Sequence, residues 1–477
     1  MNRSLMLTVI CLAIMNSPAE AQPRRAEAEG CLRHAVDFYL KHCSRHGGYV
    51  WRYSRDLKLS EGEAETDANV IWVQPPGTPA VGIALLDAYR VTSEPAYLEG
   101  ARRAAEALMA GQLHSGGWYY SITFAPGERR AWGYRDNPDY PISRTRKNKQ
   151  NITTLDDDTT PAAVRFLVLL DRQLDFQDKR IHEASLFALD ALVKAQHPNG
   201  GWSQNWDVHP GQPKWPVYPV TGAAYPPEWS RKWMNDWTGK YYLNDNVLGN
   251  MLATMLLAWE VYGNDQYLNS ARRAGDFLLR AQMPDPQPAW AQQYDEHMFP
   301  VWDRKFEPPA IASDESQESI EALLLLHEKS GDEKYLQPIP RALKYLRNSL
   351  LPDGQLARFY ELQTNRPLYF EVREGVYHLT YDDSRLPTHY AFIIPSRIDR
   401  LEARYQQALL PAANPPGPRK PSDSRISTIL ETQDERGAWV QPGTMRGFRK
   451  ASPEGVIESE TFLRNVRDLC DYLENVR

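Results

Sequence analysis

Cysteine is scarce, with four in 477 residues. Cys11 falls in an N-terminal leader, and the remaining Cys31, Cys43 and Cys470 form neither a disulfide framework nor a zinc-ligand spacing. If Cys31 and Cys43 share one helix, a rise of 1.5 Å per residue separates them by about 18 Å, so any bridge involves Cys470. Beyond the leader no apolar stretch approaches the roughly 18 residues of a transmembrane helix, so no membrane span is expected. Basic blocks are missing too: Lys plus Arg is 55 against 61 Asp plus Glu, a net charge of −6, which argues against a nucleic-acid partner. Against these absences stand 14 Trp, 25 Tyr and 36 Pro in a chain of ordinary globular hydrophobicity, 42%. Flat rings with polar edges suit sugar faces, and they also pack beneath long loops.

The first 21 residues carry Arg3, an apolar run from Leu5 to Met15, and Ala19-Glu20-Ala21 before Gln22. That is the layout of a secretory signal peptide. A single domain over 22–477 and a secreted or periplasmic location are therefore expected.

An internal repeat organises the rest. An apolar helix, a short polar turn, an amphipathic helix rich in Ala and Leu, and a Gly- or Pro-containing loop recur from Thr78, Thr159, Asp245 and Ser313. Weaker helices are expected near 390–407, 422–432 and 459–474. The first helix of each pair is apolar on most sides and reads as buried, whereas the second shows the 3.6-residue stripe of a surface helix. Stacked hairpins need a neighbour on each flank. The fold class expected is all-α: an α/α toroid, an incomplete or closed ring of helical hairpins, with the last helix beside the opening helix near 30–43. Its long loops form a groove at one end, where function concentrates. The insertion at 203–240, with Trp206, Trp215, Trp229, Trp233 and Trp237, reads as a loop stapled by aromatics, as a sugar-stacking surface, or as both. The stretch 410–424 reads as a linker.

Asp156-Asp157-Asp158 precedes the second inner helix, and Asn244-Asp245-Asn246 holds the same place one repeat later. Oxygen ligands at equivalent ring positions, converging on one mouth, are what a hard cation such as calcium requires. Arg304, Arg358, Arg366 and Arg373 lie on loops assigned to that same end. Arginine recognises carboxylates bidentately, so an anionic polysaccharide is the expected partner. His197, His209, His297, His378 and His389 have no metal-ligand spacing and read as structural residues.

The ordered set Leu155-Asp156-Asp157-Asp158-Thr159-Thr160, Pro198-Asn199-Gly200-Gly201-Trp202-Ser203-Gln204, Leu243-Asn244-Asp245-Asn246, Gln292-Gln293-Tyr294-Asp295, Arg304-Lys305-Phe306-Glu307 and Ala357-Arg358-Phe359-Tyr360-Glu361-Leu362 resembles the family-ten polysaccharide lyases, the pectic acid lyases. The resemblance covers about 150–395 and implies calcium-dependent β-elimination on polygalacturonate. It implies Asp156 and Asp245 near the calcium and Arg304 as the base; Asp157 joins them as a candidate metal ligand by its position, and Lys305 and Tyr294 are the fallback bases. Arg358, Arg366 and Arg373 are implied to bind substrate carboxylates, and Asn246, Trp202 and Tyr294 complete the candidate substrate-binding set. The sequence departs from the family where Asp156-Asp157-Asp158-Thr159-Thr160-Pro161 replaces Asp-Asn-Gly-Ala-Thr-Thr, around Arg366 to Arg373 where the family has a Gly-containing loop, and in the Trp-rich insertion. The main alternative is a glycoside hydrolase with Asp157 or Asp158 opposite Asp245 or Glu315; another is a noncatalytic glycan-binding protein. A monomer is expected.

Overall fold

Outer helices whose last carbonyls are sealed by a buried indole recur through the chain, and they set the frame for everything else. The computed structural model describes residues 18–137, 140, 149–207, 218–236, 238–410, 419–448 and 455–475. The leader up to residue 17, His209, Trp215, Trp237 and residues 411–418 of the linker lie outside them.

Thirteen helices are seen among the described residues: α1 Pro18–Phe38, α2 Thr78–Thr92, α3 Pro95–Ala110, the single turn α4 Pro126–Arg129, α5 Thr159–Gln173, α6 Lys179–Ala195, α7 Val247–Tyr262, α8 Asp265–Ala281, α9 Ser313–Ser330, α10 Ile339–Asn348, α11 Ile398–Ala408, α12 Asp423–Thr432 and α13 Ser459–Asn475. The inner helices α2, α5, α7 and α9 pack in succession; α13 packs on α2 and α11 on α9. Partners α3, α6, α8 and α10 lie outside them. α1 lies against α13, where Tyr39 stacks on Phe462 with ring centroids 3.6 Å apart and Arg25 donates to the Leu473 carbonyl at 3.2 Å. The two ends of the chain thus make the sixth hairpin, and the molecule is the expected α/α toroid.

Sequence explains the division of labour. α7 buries Leu248, Met251, Leu252, Met255 and Leu256, while α8 buries Tyr267, Leu268, Ala271, Ala274, Phe277, Leu278 and Ala281, a stripe at three- and four-residue steps. Each fully buried Leu or Phe contributes about 1.5–3 kcal/mol. Side chains cap the outer helices: Asp178 accepts from the Arg180 and Ile181 amides, and Asn264 from that of Gln266.

At the other end of the outer helices, Trp118, Trp202, Trp290 and Trp439 donate their indole N–H to the carbonyls of Leu108, Leu192, Leu278 and Ile429, at 2.8, 2.9, 2.8 and 3.0 Å. These are last-turn carbonyls, and those of Leu108 and Leu278 also accept the backbone N–H of Gly111 and Gln282. Tyr53, Tyr294 and Tyr360 do the same for Cys43, Ala281 and Ser349 while accepting a backbone N–H. Gln112, Gln196, Gln282 and Gln433 then tie each outer helix to the next, donating to Ala184, Ser270, Pro338 and Cys31 respectively.

Two features escape the all-α expectation. Short strands knit the loop end: one sheet runs Val440–Gln441, Val456–Glu458, Arg52–Ser54, Ser60–Glu61 and Glu65–Thr66, and another runs Ala310–Ala312, Phe359–Glu361, Pro367–Arg373 and Val376–Thr380. The strands of two or three residues carry too little period to be read from a sequence, whereas 367–373 and 376–380, seven and five residues long, are a hairpin that the helical reading passed over. The three described cysteines are buried free thiols, so the bridge through Cys470 does not form.

Candidate active site

Asp157 and Asp158 both adopt the left-handed conformation, φ +46° and +60°, and so do Asp245 and Asn246, φ +51° and +57°. Asp and Asn tolerate this region because their short polar side chains satisfy the local backbone. The identical turn before α5 and before α7 places the two acidic segments side by side. Oxygens of Asp156, Asp157 and Asp245 gather within 4.8 Å of one another.

The same ladder recurs around the ring. Leu155 N–H bonds to Gln204 O and Leu243 N–H to Gln292 O, so Gln204 and Gln292 are equivalent, as are Asp156 and Asn244. Gln204 donates to Asp156 Oδ1 at 2.6 Å, and Gln292 donates to Asn244 Oδ1. Tyr120 donates to Asp156 Oδ2 at 2.6 Å, and Gln74 Nε2 to Asp157 Oδ2 at 2.7 Å. Gln74 and Tyr120 precede the region of family resemblance and were missed in the sequence; their equivalence to Asn244 and Gln292 in the ladder is the signal that finds them.

Arg304 reaches the cluster from the loop before α9. Its Nη2 lies 3.7 Å from Asp245 Oδ2, and Glu307 grips Nε and Nη2, both at 2.7 Å. Burial alone lowers the guanidinium's pKa, but the Glu307 and Asp245 carboxylates outweigh it and hold Arg304 more firmly charged than a free arginine. Glu307 also accepts from Tyr390 at 3.1 Å. Burial, then the Asp156 charge, pushes Asp245 well above the usual carboxylate range. Desolvation, then Asp156 and Glu63, lifts Asp157 to about 6. Three crowded carboxylates that repel one another present a hard, oxygen-only donor set, which fits calcium, whose six to eight oxygen ligands leave positions for water or substrate.

Arg358 belongs to the adjoining wall. Its side chain is 11% exposed and is committed to Glu315 at 3.1 Å and Asp314 at 3.4 Å, beneath Tyr390. Asn246 is half-buried beside Asp245, with its side chain folded over Gly249. Arg366 sits apart, over the Tyr381 ring. Arg373 stands at the tip of the 367–380 hairpin, paired with Glu371 and 68% exposed; none of its contacts reaches the cluster.

Two candidates are corrected outright. Trp202 and Tyr294 are fully buried, with their polar atoms spent on the carbonyls described above, so neither meets a substrate and Tyr294 is no fallback base. Lys305 is exposed and lies over Tyr377, 4.7 Å from the ring centroid. Among the hydrolase alternatives, Asp158 is ion-paired with Arg165, and Glu315 is buried against Arg358. The stapled-loop reading of the insertion holds for Trp206 and Trp233, which donate to Ser115 O and Asp303 O at 3.0 and 2.8 Å.

No family model and no curated protein matches this chain. Solved structures with a similar arrangement of helices do. A variant of the family 10 polysaccharide lyase from Cellvibrio cellulosa, in complex with trigalacturonic acid, is 14% identical, with a TM-score of 0.45 over 69% of this chain and 99% of the other. Cellobiose 2-epimerase from Bacillus thermoamylovorans B4167 is 14% identical, with a TM-score of 0.49 over 96% and 100% of the two chains. An α-1,6-mannanase of Salegentibacter sp. HEL1_6 is 13% identical, with a TM-score of 0.40 over 94% and 99%.

Proposed function

We propose that this chain is an extracytoplasmic polysaccharide lyase that cleaves a uronate polymer of the polygalacturonate kind by β-elimination, with calcium as its cofactor. The observation that carries this reading is the meeting of Asp156, Asp157 and Asp245 with the Arg304 guanidinium in one cluster. In a uronate the C5 proton is α to a carboxylate, and its removal builds charge on that carboxyl group as the bond to O4 breaks. Asp156, Asp157 and Asp245 would hold a calcium ion, which would supply a hard positive charge to offset the negative charge that develops.

Arg304 takes the C5 proton. A guanidinium that is permanently charged cannot act as a base, and the Glu307 clamp offers the way round this. A proton passes from Arg304 Nη2 to Glu307 Oε1 across their 2.7 Å contact, and the imine nitrogen this leaves at Nη2 takes the C5 proton, which restores the guanidinium. Tyr120 and Gln204 hold both oxygens of Asp156, fixing its orientation in the cluster. A hydrolase needs two opposed carboxylates with a water or a sugar between them. The convergence of Asp157 and Asp245 and the engagement of Asp158 and Glu315 favour the lyase. The location rests on the signal-like residues 1–21; no helix among the described residues is long and apolar enough to cross a membrane.

The test is incubation with polygalacturonate while following absorbance near about 235 nm, with and without a chelator. Elimination leaves a conjugated double bond and hydrolysis does not. Release of reducing ends without that absorbance would replace the lyase with a hydrolase.

A further inference from the structure

Gln74 lies just ahead of α2, only 4% exposed, and two indoles hold it. Trp51 Nε1 donates to its backbone carbonyl at 2.8 Å, and Trp72 Nε1 donates to its side-chain oxygen Oε1 at 3.1 Å. Trp72 is itself 7% exposed, and its ring is closed over by Gly62, where a Cβ would fall 2.1 Å from the indole. From this fixed position Gln74 Nε2 donates to Asp157 Oδ2 at 2.7 Å.

An indole N–H only donates and an ionised carboxylate only accepts, so a side chain that bridges the two must accept at one end and donate at the other. An amide does this in a single orientation, with its oxygen toward Trp72 and its nitrogen toward Asp157. A Glu would set another negative oxygen against Asp157, and an apolar side chain would leave both the indole and the carboxylate without this partner. The Val73 amide bonds to the Tyr120 carbonyl as the Leu155 amide bonds to that of Gln204, so Gln74 holds the place that Asp156 holds one repeat later. Gln74, Tyr120 and Gln204 are neutral donors: they orient Asp157 and Asp156 without cancelling the negative charge that a cation needs. Asp158, the third of the triplet, faces the Arg165 guanidinium instead and is neutralised by it.

We propose that Gln74, oriented by Trp72, is a positioning residue for the calcium ion: it holds Asp157 in the arrangement that gathers it with Asp156 and Asp245, so that residues 51–74, outside the stretch of family resemblance, help to build the cation site. This rests on the calcium-dependent reading given above. Gln74 is no ligand itself, because Trp72 takes its amide oxygen and its nitrogen only donates. Its hydrogen bond offsets part of the repulsion among the three carboxylates before the cation arrives, as outer partners of metal ligands do.

The experiment measures calcium binding by calorimetry on chelator-treated wild type, Gln74→Met, Trp72→Phe and the double variant, with the calcium-induced rise in Tm as a second readout. Trp439→Phe is the control, since Trp439 seals Ile429 with its indole and takes no part in the aspartate cluster. Gln74→Met keeps the length of the side chain and removes the donor. The expected result is a calcium Kd raised about 10- to 100-fold by Gln74→Met, raised by Trp72→Phe as well, and no weaker binding in the double variant than in Gln74→Met, because Trp72 acts through Gln74. Trp439→Phe should leave Kd within about twofold of wild type. A Gln74→Met Kd within about twofold of wild type overturns the positioning role alone. Effects that multiply in the double variant overturn the link through Trp72, and a Kd raised as far by Trp439→Phe marks a general loosening of the ring and overturns the whole proposal. A wild type that takes up no calcium overturns the calcium reading and this proposal with it. Trp72→Phe opens space in the core; Gln74→Met carries the test by itself if that variant does not fold.

Discussion

Arg304 and Glu307 are locked in a bidentate pair, Nε to Oε2 and Nη2 to Oε1, both at 2.7 Å, with the Arg304 amide also donating to Glu307 Oε2 at 3.1 Å. Three hydrogen bonds to a carboxylate with no solvent exposure leave the guanidinium one orientation, with its Nη2 edge toward Asp245. Removing the guanidinium takes away the proton acceptor and leaves Glu307 buried without its charge partner. Arg304→Ala is expected to lower kcat on polygalacturonate by about 10²–10⁴-fold. Glu307→Gln, similar in shape and unable to take the proton, should lower kcat by about 10²-fold with KM changed far less. A Glu307→Gln enzyme with wild-type kcat would remove Glu307 from proton handling.

The aspartate cluster predicts a dependence on calcium that can be read without turnover. A ligand that binds only the folded chain stabilises it by about 2.7 kcal/mol at one hundred times its Kd. Adding calcium to chelator-treated protein should therefore raise Tm, and Asp245→Asn should abolish the rise. In chelator the Asp245→Asn protein should melt no lower than wild type, because it lacks one of three mutually repelling carboxylates. The same Tm for wild type with calcium and with chelator would count against a metal at this position.

The ring itself was legible because inner and outer helices differ in their periodicity over fifteen residues or more: α2, α5 and α9 begin at Thr78, Thr159 and Ser313, where the apolar pattern begins. The aspartate pair was legible for the same reason, being one position repeated. What the pattern could not separate was a tryptophan that faces a ligand from one that seals a helix. Trp202 follows Gly200-Gly201; Gly200 has φ +95°, and a Cβ there would meet the Arg273 carbonyl oxygen at 2.0 Å, so only glycine fits. That close approach to the next outer helix is what buries the indole, and it depends on a residue more than seventy positions away. Arg366 and Arg373 illustrate the converse: both fall in loops at the expected end, yet the 367–380 hairpin carries Arg373 away from the cluster, and hairpin direction leaves no trace in composition.

Trp202 makes this distinction testable. The ring is fully buried and its N–H satisfies the Leu192 carbonyl at 2.9 Å. Trp202→Phe leaves that carbonyl without its partner and opens space beside it, and should destabilise the fold by about 1–3 kcal/mol. Chemical denaturation should show the loss, while KM for polygalacturonate in the folded variant stays within about twofold of wild type. A large rise in KM with unchanged stability would return Trp202 to the substrate surface.

His197 gives the stability a pH dependence of predictable sign. It is 3% exposed, with its Nε2 2.9 Å from Ser203 Oγ and its ring edge-on to Tyr241. Burial, reinforced by the Lys240 charge, drops its pKa from the ordinary 6.5 to about 4. Above pH 6.5 the imidazole is neutral in both states and costs nothing. As pH falls from there to about 4, the unfolded chain takes up a proton that the folded chain refuses, so the free energy of unfolding declines across that window and levels off below it. At 1.36 kcal/mol per unit the full loss is about 3 kcal/mol. His197→Gln keeps a hydrogen-bonding group near Ser203 but does not titrate. The urea midpoint of wild type should therefore fall by more than that of the variant as pH drops from about 6.5 to about 4.5. A difference between the two midpoints that stays constant across that range would mean that His197 protonates as readily in the folded chain as in the unfolded one.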